Sequence, residues 1–471
     1  MQNKYLKFPF VGILSAASLC ICIALFGCSK PNTDGGETVF KNVEDIFVDD
    51  NLEGLNVELG SLGSVSSWPN SDYYPEIGSF NFKFDDDFEN INMYSVDKTA
   101  WLNPKLFFQN IKFRILRGNA KTTTMRQPIL FKDTIVVANK SGKIFAMDTE
   151  HNMKIIWQTS IRQIVDDKNA YDALQILFSY GNGKVFAATN NGFVFALNAE
   201  TGELEWKQNL RATIRVPFKY DRGRLYGISS LNEIIVLKAF DGEVVWKNQT
   251  ATASTVTLNQ ASILLTSDSF VASYTDGTVA AFTKDTFATK WVHDIATGSA
   301  GNLFSFADID STPIAVDGMI ICAGINGGMY MINESTGNIV WNKNIGSVSA
   351  MSISGNFLFV IDSHNRLICI YWPRGLIKWI TELETFDNVK VAGYLNNGND
   401  FTQNRIKIYG PYIVNNQLVL QTGYGLMWIY SAQTGNLMET HRIPYQTEPM
   451  IMVKKKMYAF SDAWQSVISI G

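Results

Sequence analysis

Apolar and polar positions alternate in short runs along most of the chain, and the runs recur. Asp133-Thr-Ile-Val-Val-Ala138 is apolar and rich in β-branched residues; a turn at Asn139-Lys-Ser-Gly142 follows it, and then a second run, Gly142-Lys-Ile-Phe-Ala-Met-Asp148. A short segment ending in Trp157 closes the unit. The same order returns at Gly192-Phe-Val-Phe-Ala-Leu-Asn198 with Trp206, Asn232-Glu-Ile-Ile-Val-Leu-Lys238 with Trp246, and Gly277-Thr-Val-Ala-Ala-Phe-Thr283 with Trp291. It returns again at Gly327-Gly-Met-Tyr-Met-Ile-Asn333 with Trp341 and Asn365-Arg-Leu-Ile-Cys-Ile-Tyr371 with Trp379. The period is near two throughout, which predicts strands, and the Asn- and Gly-centred turns fit hairpins.

Successive Trp residues stand about 38 to 50 positions apart, in the range of propeller blades. A Thr-Gly pair precedes the last run in several copies (Thr201-Gly202, Thr336-Gly337, Thr434-Gly435). Each unit thus predicts a four-stranded antiparallel blade whose Trp fills the wedge between neighbouring sheets. A seventh copy runs through Gly425-Leu-Met-Trp-Ile-Tyr430, with Glu439 in place of the Trp. A final fragment, Glu448 to Ile470, lacks its closing strand, and an open sheet edge there invites a partner. Leu106 to Arg114 (Leu-Phe-Phe-Gln-Asn-Ile-Lys-Phe-Arg) is strand-like and precedes the first full copy, so it is the expected donor. The fold class predicted is all-β: one eight-bladed propeller over residues 68–471, closed by an N-terminal strand. An Asn- and Gly-rich insert at 386–405 interrupts the spacing before the seventh copy.

The N-terminus follows a different pattern. Lys4 and Lys7 precede an apolar run from Phe8 to Phe26, which stops at Leu25-Phe26-Gly27-Cys28 and turns polar at Ser29. A membrane-spanning segment and an ordinary cleaved signal are both compatible with the length. The small residue directly before a Cys favours a third reading, because Leu-Phe-Gly-Cys resembles the lipobox of bacterial lipoproteins. The resemblance implies a signal peptide over 1–27, lipidation of Cys28, and anchorage by buried acyl chains. In such lipoproteins Ser rather than Asp after the Cys favours the outer membrane. Residues 28–67 are rich in Asp, Glu, Asn, Gly and Ser, and read as an acidic flexible tether.

Composition narrows the chemistry. The net charge of −4 carries no basic stripe of the kind nucleic-acid binders show. Four His residues and no Cys-x-x-Cys leave little for a metal or redox site. Beyond the signal and anchor only Cys322 and Cys369 remain; an exported domain can pair them, but both lie in apolar strand patterns of different repeats, which favours buried free thiols.

The repeat grammar, Gly-x-Val-x-Ala-Leu-(Asp/Asn), then Gly, then Trp, resembles the pyrroloquinoline-quinone-type propeller repeat. With the lipobox, the acidic tether and eight blades, the chain resembles the BamB family within that group. The resemblance implies a non-enzymatic lipoprotein scaffold without cofactor, anchored at the periplasmic face of the outer membrane. Its partner would be the barrel-forming subunit of an assembly complex. Asp308-Ile-Asp310-Ser-Thr-Pro313 resembles the family's docking loop, where acidic residues meet that subunit. Such Asp residues also cap turns simply by bonding their amides. Val256-Thr-Leu258-Asn259 matches the apolar pair of a second docking loop but lacks its Arg; an ordinary strand is the alternative. Quinoprotein dehydrogenases share the repeat, but their chemistry needs a quinone, Ca²⁺ and a carboxylate base, and the vicinal Cys pair of that group is missing here. An exported propeller that binds another envelope component is a further alternative.

Overall fold

The computed structural model describes residues 46–471 except 72–79, 86–87, 97–126, 140, 162–174, 250–260, 296–311, 325–327, 348, 384–407, 424, 445–446 and 462–464. Residues 1–45 lie outside the described residues, and with them the signal segment and Cys28. Among the described residues no helix is long and apolar enough to cross a membrane.

Eight antiparallel sheets make up the ring. From innermost to outermost strand, blade 1 runs from Ile129–Phe131 to Lys154–Ser160, blade 2 from Ile176–Gly181 to Leu204–Asn209, and blade 3 from Lys219–Asp221 to Val244–Gln249. Blade 4 runs from Ser262–Leu265 to Thr289–Asp294 and blade 5 from Ile314–Val316 to Ile339–Lys343. Blade 6 runs from Ser352–Ser354 to Leu376–Glu382 and blade 7 from Ile408–Val414 to Leu437–Arg442. Blade 8 takes three strands from the C-terminus, Ile451–Val453, Lys456–Ser461 and Ser466–Ile470, and its outer strand from Ile91–Ser95.

The ring therefore closes with an N-terminal strand, as the open edge requires, but not with the expected one. Ile91–Ser95 pairs antiparallel along Ser466–Ile470, from Ile91 opposite Ile470 to Ser95 opposite Ser466. Leu106–Arg114 lies outside the described residues. The period-two expectation also needs refinement. It holds in outer strands such as Leu204–Asn209, which face a neighbour on one side and solvent on the other. The second and third strands are buried on both faces, as in Lys184–Thr189 and Phe193–Asn198, because blades stack on each side of them. Their sequences accordingly read as nearly continuous apolar runs.

The repeated Trp does more than fill space. Its indole N–H reaches the next blade and donates to a carbonyl in the turn between the third and fourth strands. The pairs are Trp157 to Ala199 O (3.0 Å), Trp206 to Ala239 O (3.1 Å), Trp291 to Glu334 O (2.8 Å), Trp341 to Trp372 O (2.8 Å) and Trp379 to Ala432 O (3.1 Å). The turn Gly explains why the ring fits. Gly202 has φ +73°, and a Cβ there would stand 2.5 Å from Trp157; Gly242, Gly337, Gly375 and Gly435 lie under their own Trp in the same way. Blade 4 has Phe287 at this position, and there Trp246 stacks on the Phe ring at 5.0 Å. Cys322 and Cys369 are buried free thiols in separate blades, as expected. Burial pushes the Cys322 thiol up to about 12.

The acidic tether expected over 28–67 is corrected in part: from Ile46 onward the chain packs on the ring. Leu52, Val57 and Trp68 are buried. Leu62–Gly63 and Asn81–Phe82 extend the inner edge of blade 7 as two parallel strands. Backbone bonding explains how so polar a segment is held: extended chain satisfies its own amides on inner strands and needs few apolar side chains.

Candidate docking face

A four-stranded meander sends its first and third turns to one face of the ring, and its second turn and inter-blade connection to the other. The described residues of the N-terminal segment, 46–71 and 80–85, bond to the first of these, the hairpin face. Gly60 N–H donates to Ser354 Oγ (2.9 Å), Val57 N–H to Gln433 Oε1 (2.9 Å) and Lys454 N–H to Val65 O (3.0 Å), all at such turns. A small, partly open recess on this face, with room for about 10 Å³, is lined by Lys83 and Lys454 to Lys456. Three of these lysines are already paired: Lys455 with Asp85 (2.6 Å), Lys83 with Asp85 (3.4 Å), and Lys454 with Asp133. The Lys455 contact holds the Asp85 carboxyl below its usual range.

The four residues singled out in the sequence belong to segments whose flanking strands end on the opposite, loop face. Val256 and Leu258 lie outside the described residues, between the outer strand of blade 3 and the inner strand of blade 4. Asp308 and Asp310 also lie outside them, between the same strands of blades 4 and 5. The flanking strand ends, Gln249 with Ser262 and Asp294 with Ile314, all emerge on the loop face of three consecutive blades. The turns between them are tied together. Buried Asn232, in the blade 3 turn, accepts at Oδ1 from both the N–H and the hydroxyl of Thr275 in the blade 4 turn, each at 3.2 Å. Beside Asn232, Leu231 is 52% exposed. Sequence reasoning passed it over; its one signal is a large apolar residue where the repeat expects a small polar turn residue. Beneath the turns, Ser262 and Ser273 face each other across two strands, and neither hydroxyl has a hydrogen-bond partner; the same holds for the Tyr274 hydroxyl. Burial raises the Tyr274 pKa.

Titratable side chains elsewhere serve the scaffold. Asp362 is buried in the blade 6 turn, where it accepts from the backbone of His364 (3.0 Å) and Arg366 (2.8 Å) and pairs with the Arg366 guanidinium at 2.7 Å. His151, His293, His364 and His441 sit on four different blades. Among the described residues no group of three His, Cys, Asp or Glu side chains could hold a metal ion.

The family model for "outer membrane protein assembly factor BamB" matches residues 150–381. The BamB of Escherichia coli strain K12 is 30% identical over 286 residues, covering 58% of this chain and 69% of that protein. The chain belongs to the BamB family. A Shewanella oneidensis BamB is 24% identical over 255 residues, covering 51% of this chain and 65% of its own length. The solved structure of BamB from Moraxella catarrhalis superposes with a TM-score of 0.58 at 17% identity, over 72% of this chain and 93% of that one. A quinohemoprotein alcohol dehydrogenase from Pseudomonas putida HK5 superposes with a TM-score of 0.55 at 11% identity, over 86% and 80%. At these identities the two solved structures speak to the fold, and the propeller is common to BamB and to the dehydrogenases.

Proposed function

We propose that this chain is a non-enzymatic scaffold in the assembly of outer-membrane β-barrel proteins, held by lipid on Cys28 at the periplasmic face of the outer membrane. Its domains are a signal peptide (1–27), a lipidated and partly tethering segment from Cys28, and the propeller. The observation that carries the reading is the relation to BamB proteins named as outer-membrane assembly factors. The enzymatic alternative draws on fold likeness alone, and it lacks the vicinal Cys pair and clustered His residues.

Within this reading, the barrel-forming subunit docks on the loop face through Val256, Leu258, Asp308 and Asp310. One feature supports that placement: the strands flanking both segments end on one face of adjacent blades. Exposed Leu231 extends the same surface. Replacing Asp308 and Asp310 with Ala removes two charges from it, and the double variant should bind the partner roughly 10- to 100-fold more weakly. Rising salt should weaken the parent chain more than the variant, since exposed charges are screened over about 8–10 Å. Binding that is unchanged in a folded variant refutes the docking role. An unfolded variant shows instead that both aspartates are turn caps.

A further inference from the structure

We propose that residues 46–71 and 80–85 are a clasp that replaces two missing Trp contacts and holds the ring across its closing seam. Ring closure demands eight inter-blade interfaces. Six of them carry a Trp from the outer strand of the preceding blade: Trp157, Trp206, Trp246, Trp291, Trp341 and Trp379. The other two do not. Blade 7 has Glu439 where the Trp belongs, and the outer strand of blade 8 is Ile91-Asn-Met-Tyr-Ser95. The turn of blade 1 agrees: where blades 2, 3, 5, 6 and 7 place a Gly beneath an arriving Trp, it has Asn152, and no indole arrives from blade 8.

The N-terminal segment crosses both of these interfaces, together with the Trp-bearing interface on either side of them. One apolar cluster joins Trp68, Phe82 and Phe84 to residues of blades 7, 8 and 1, including Val419, Met452 and Leu130. Trp68 is fully buried, and its ring lies 6.0 Å from that of Phe82. Aromatic area thus returns to the interfaces that lost it, delivered from the hairpin face rather than from an outer strand.

Polar contacts fix the register blade by blade. At blade 6, Asp49 N–H donates to Ile377 O (2.9 Å), and Asp49 Oδ2 accepts from Ile377 N–H (2.7 Å). At blade 7, buried Asn81 donates to Asn416 Oδ1 (2.7 Å) and to Gly60 O (3.0 Å), and accepts from Asn416 N–H (3.2 Å). Lys454 of blade 8 donates to Val65 O (3.0 Å). Trp68 and Leu130 of blade 1 exchange both backbone bonds (2.6 and 2.9 Å), and Tyr180 of blade 2 donates to Pro69 O (2.7 Å). One stretch of chain therefore touches five consecutive blades on both sides of the seam. Such a connection makes the seam open as a unit, because freeing any blade strips bonds from its neighbours.

Amide hydrogen exchange on the full chain tests this. Trp68→Ala should speed exchange at Tyr180 and Lys454 together, by about tenfold or more, although neither amide is bonded to Trp68. Amides of blade 4 should keep their protection. Asn81→Ala, at the other interface, should transmit to Tyr180 as well, at smaller amplitude, and serves if the first variant does not fold. A change confined to Leu130 in the first variant, or to Asn416 in the second, overturns the proposal: the segment would then be a row of independent local contacts.

Discussion

The Gly beneath each Trp offers a direct probe of how the blades are coupled. Gly202→Ala places a methyl group 2.5 Å from Cδ2 and Cε3 of Trp157, on a backbone with φ +73°. The left-handed backbone costs an L-residue roughly 1–2 kcal/mol. Displacing a packed ring adds about 1–3 kcal/mol, so the single variant should lose about 2–5 kcal/mol. Trp157→Ala removes a ring that is 7% exposed, together with its 3.0 Å bond to Ala199 O, and should cost about 3–5 kcal/mol. The two losses should not add. Once the indole is gone, the methyl of Ala at 202 keeps only the Thr159 hydroxyl, at 2.9 Å, as a close neighbour, and most of the steric part of its cost is relieved. The double variant should therefore be more stable than the sum predicts by about 1–3 kcal/mol. Guanidinium denaturation followed by far-ultraviolet circular dichroism on all four chains measures this coupling. Additivity within about 0.5 kcal/mol would refute the claim that Gly202 is there to admit Trp157.

Two further outcomes follow from the anchor and the thiols. Cys28→Ser should leave the propeller folded while the protein no longer partitions into the detergent phase; partitioning like the parent would remove the lipoprotein reading. Burial raises the pKa of both Cys322 and Cys369, so each thiol stays protonated in the folded chain well above the ordinary value of about 8.5. The stability linked to them is therefore full below that value and is lost as pH climbs toward about 12 for Cys322. Alkylation at pH 8 should leave both unmodified until denaturant is added, and rapid labelling of the native chain would contradict their burial.

The repeat made most of the ring legible. Trp spacing, turn residues and apolar runs point to eight four-stranded units, and the unfinished last unit calls for an N-terminal strand. Which strand answers was harder to read. Leu106–Arg114 is the more apolar candidate, whereas Ile91–Ser95 is half exposed and owes its place to pairing with Ser466–Ile470. An outer strand is chosen by its partner's edge, which hydrophobicity does not record. Residues 46–67 escaped notice for a related reason. Asp49 and Asn81 look like solvated residues in a polar stretch, yet they bond backbone and side chains more than 300 positions away. Acidic composition describes the side chains of such a segment and says nothing of its main chain. Of the candidate site, Val256, Leu258, Asp308 and Asp310 rest on motif likeness, while Leu231 becomes visible only once exposure is known.

Val57 and Gln433 are bonded across 376 positions of sequence, and Asn81 and Asn416 across 335. Synthesis proceeds from the N-terminus, so the ribosome releases Val57 and Asn81 among the first parts of this protein and their seats among the last. Until blades 7 and 8 exist, Phe82 and Phe84 lack their seats, Trp68 has only the blade 1 part of its own, and the edge that Ile91–Ser95 will cover has not been made. The chain therefore carries an unpaired strand and two unseated aromatic rings, Phe82 and Phe84, until its last blades form. Exposed edges and apolar side chains are what chaperones recognise and what aggregation exploits. A long wait before the first segment can dock gives this protein a vulnerable youth that its finished ring conceals.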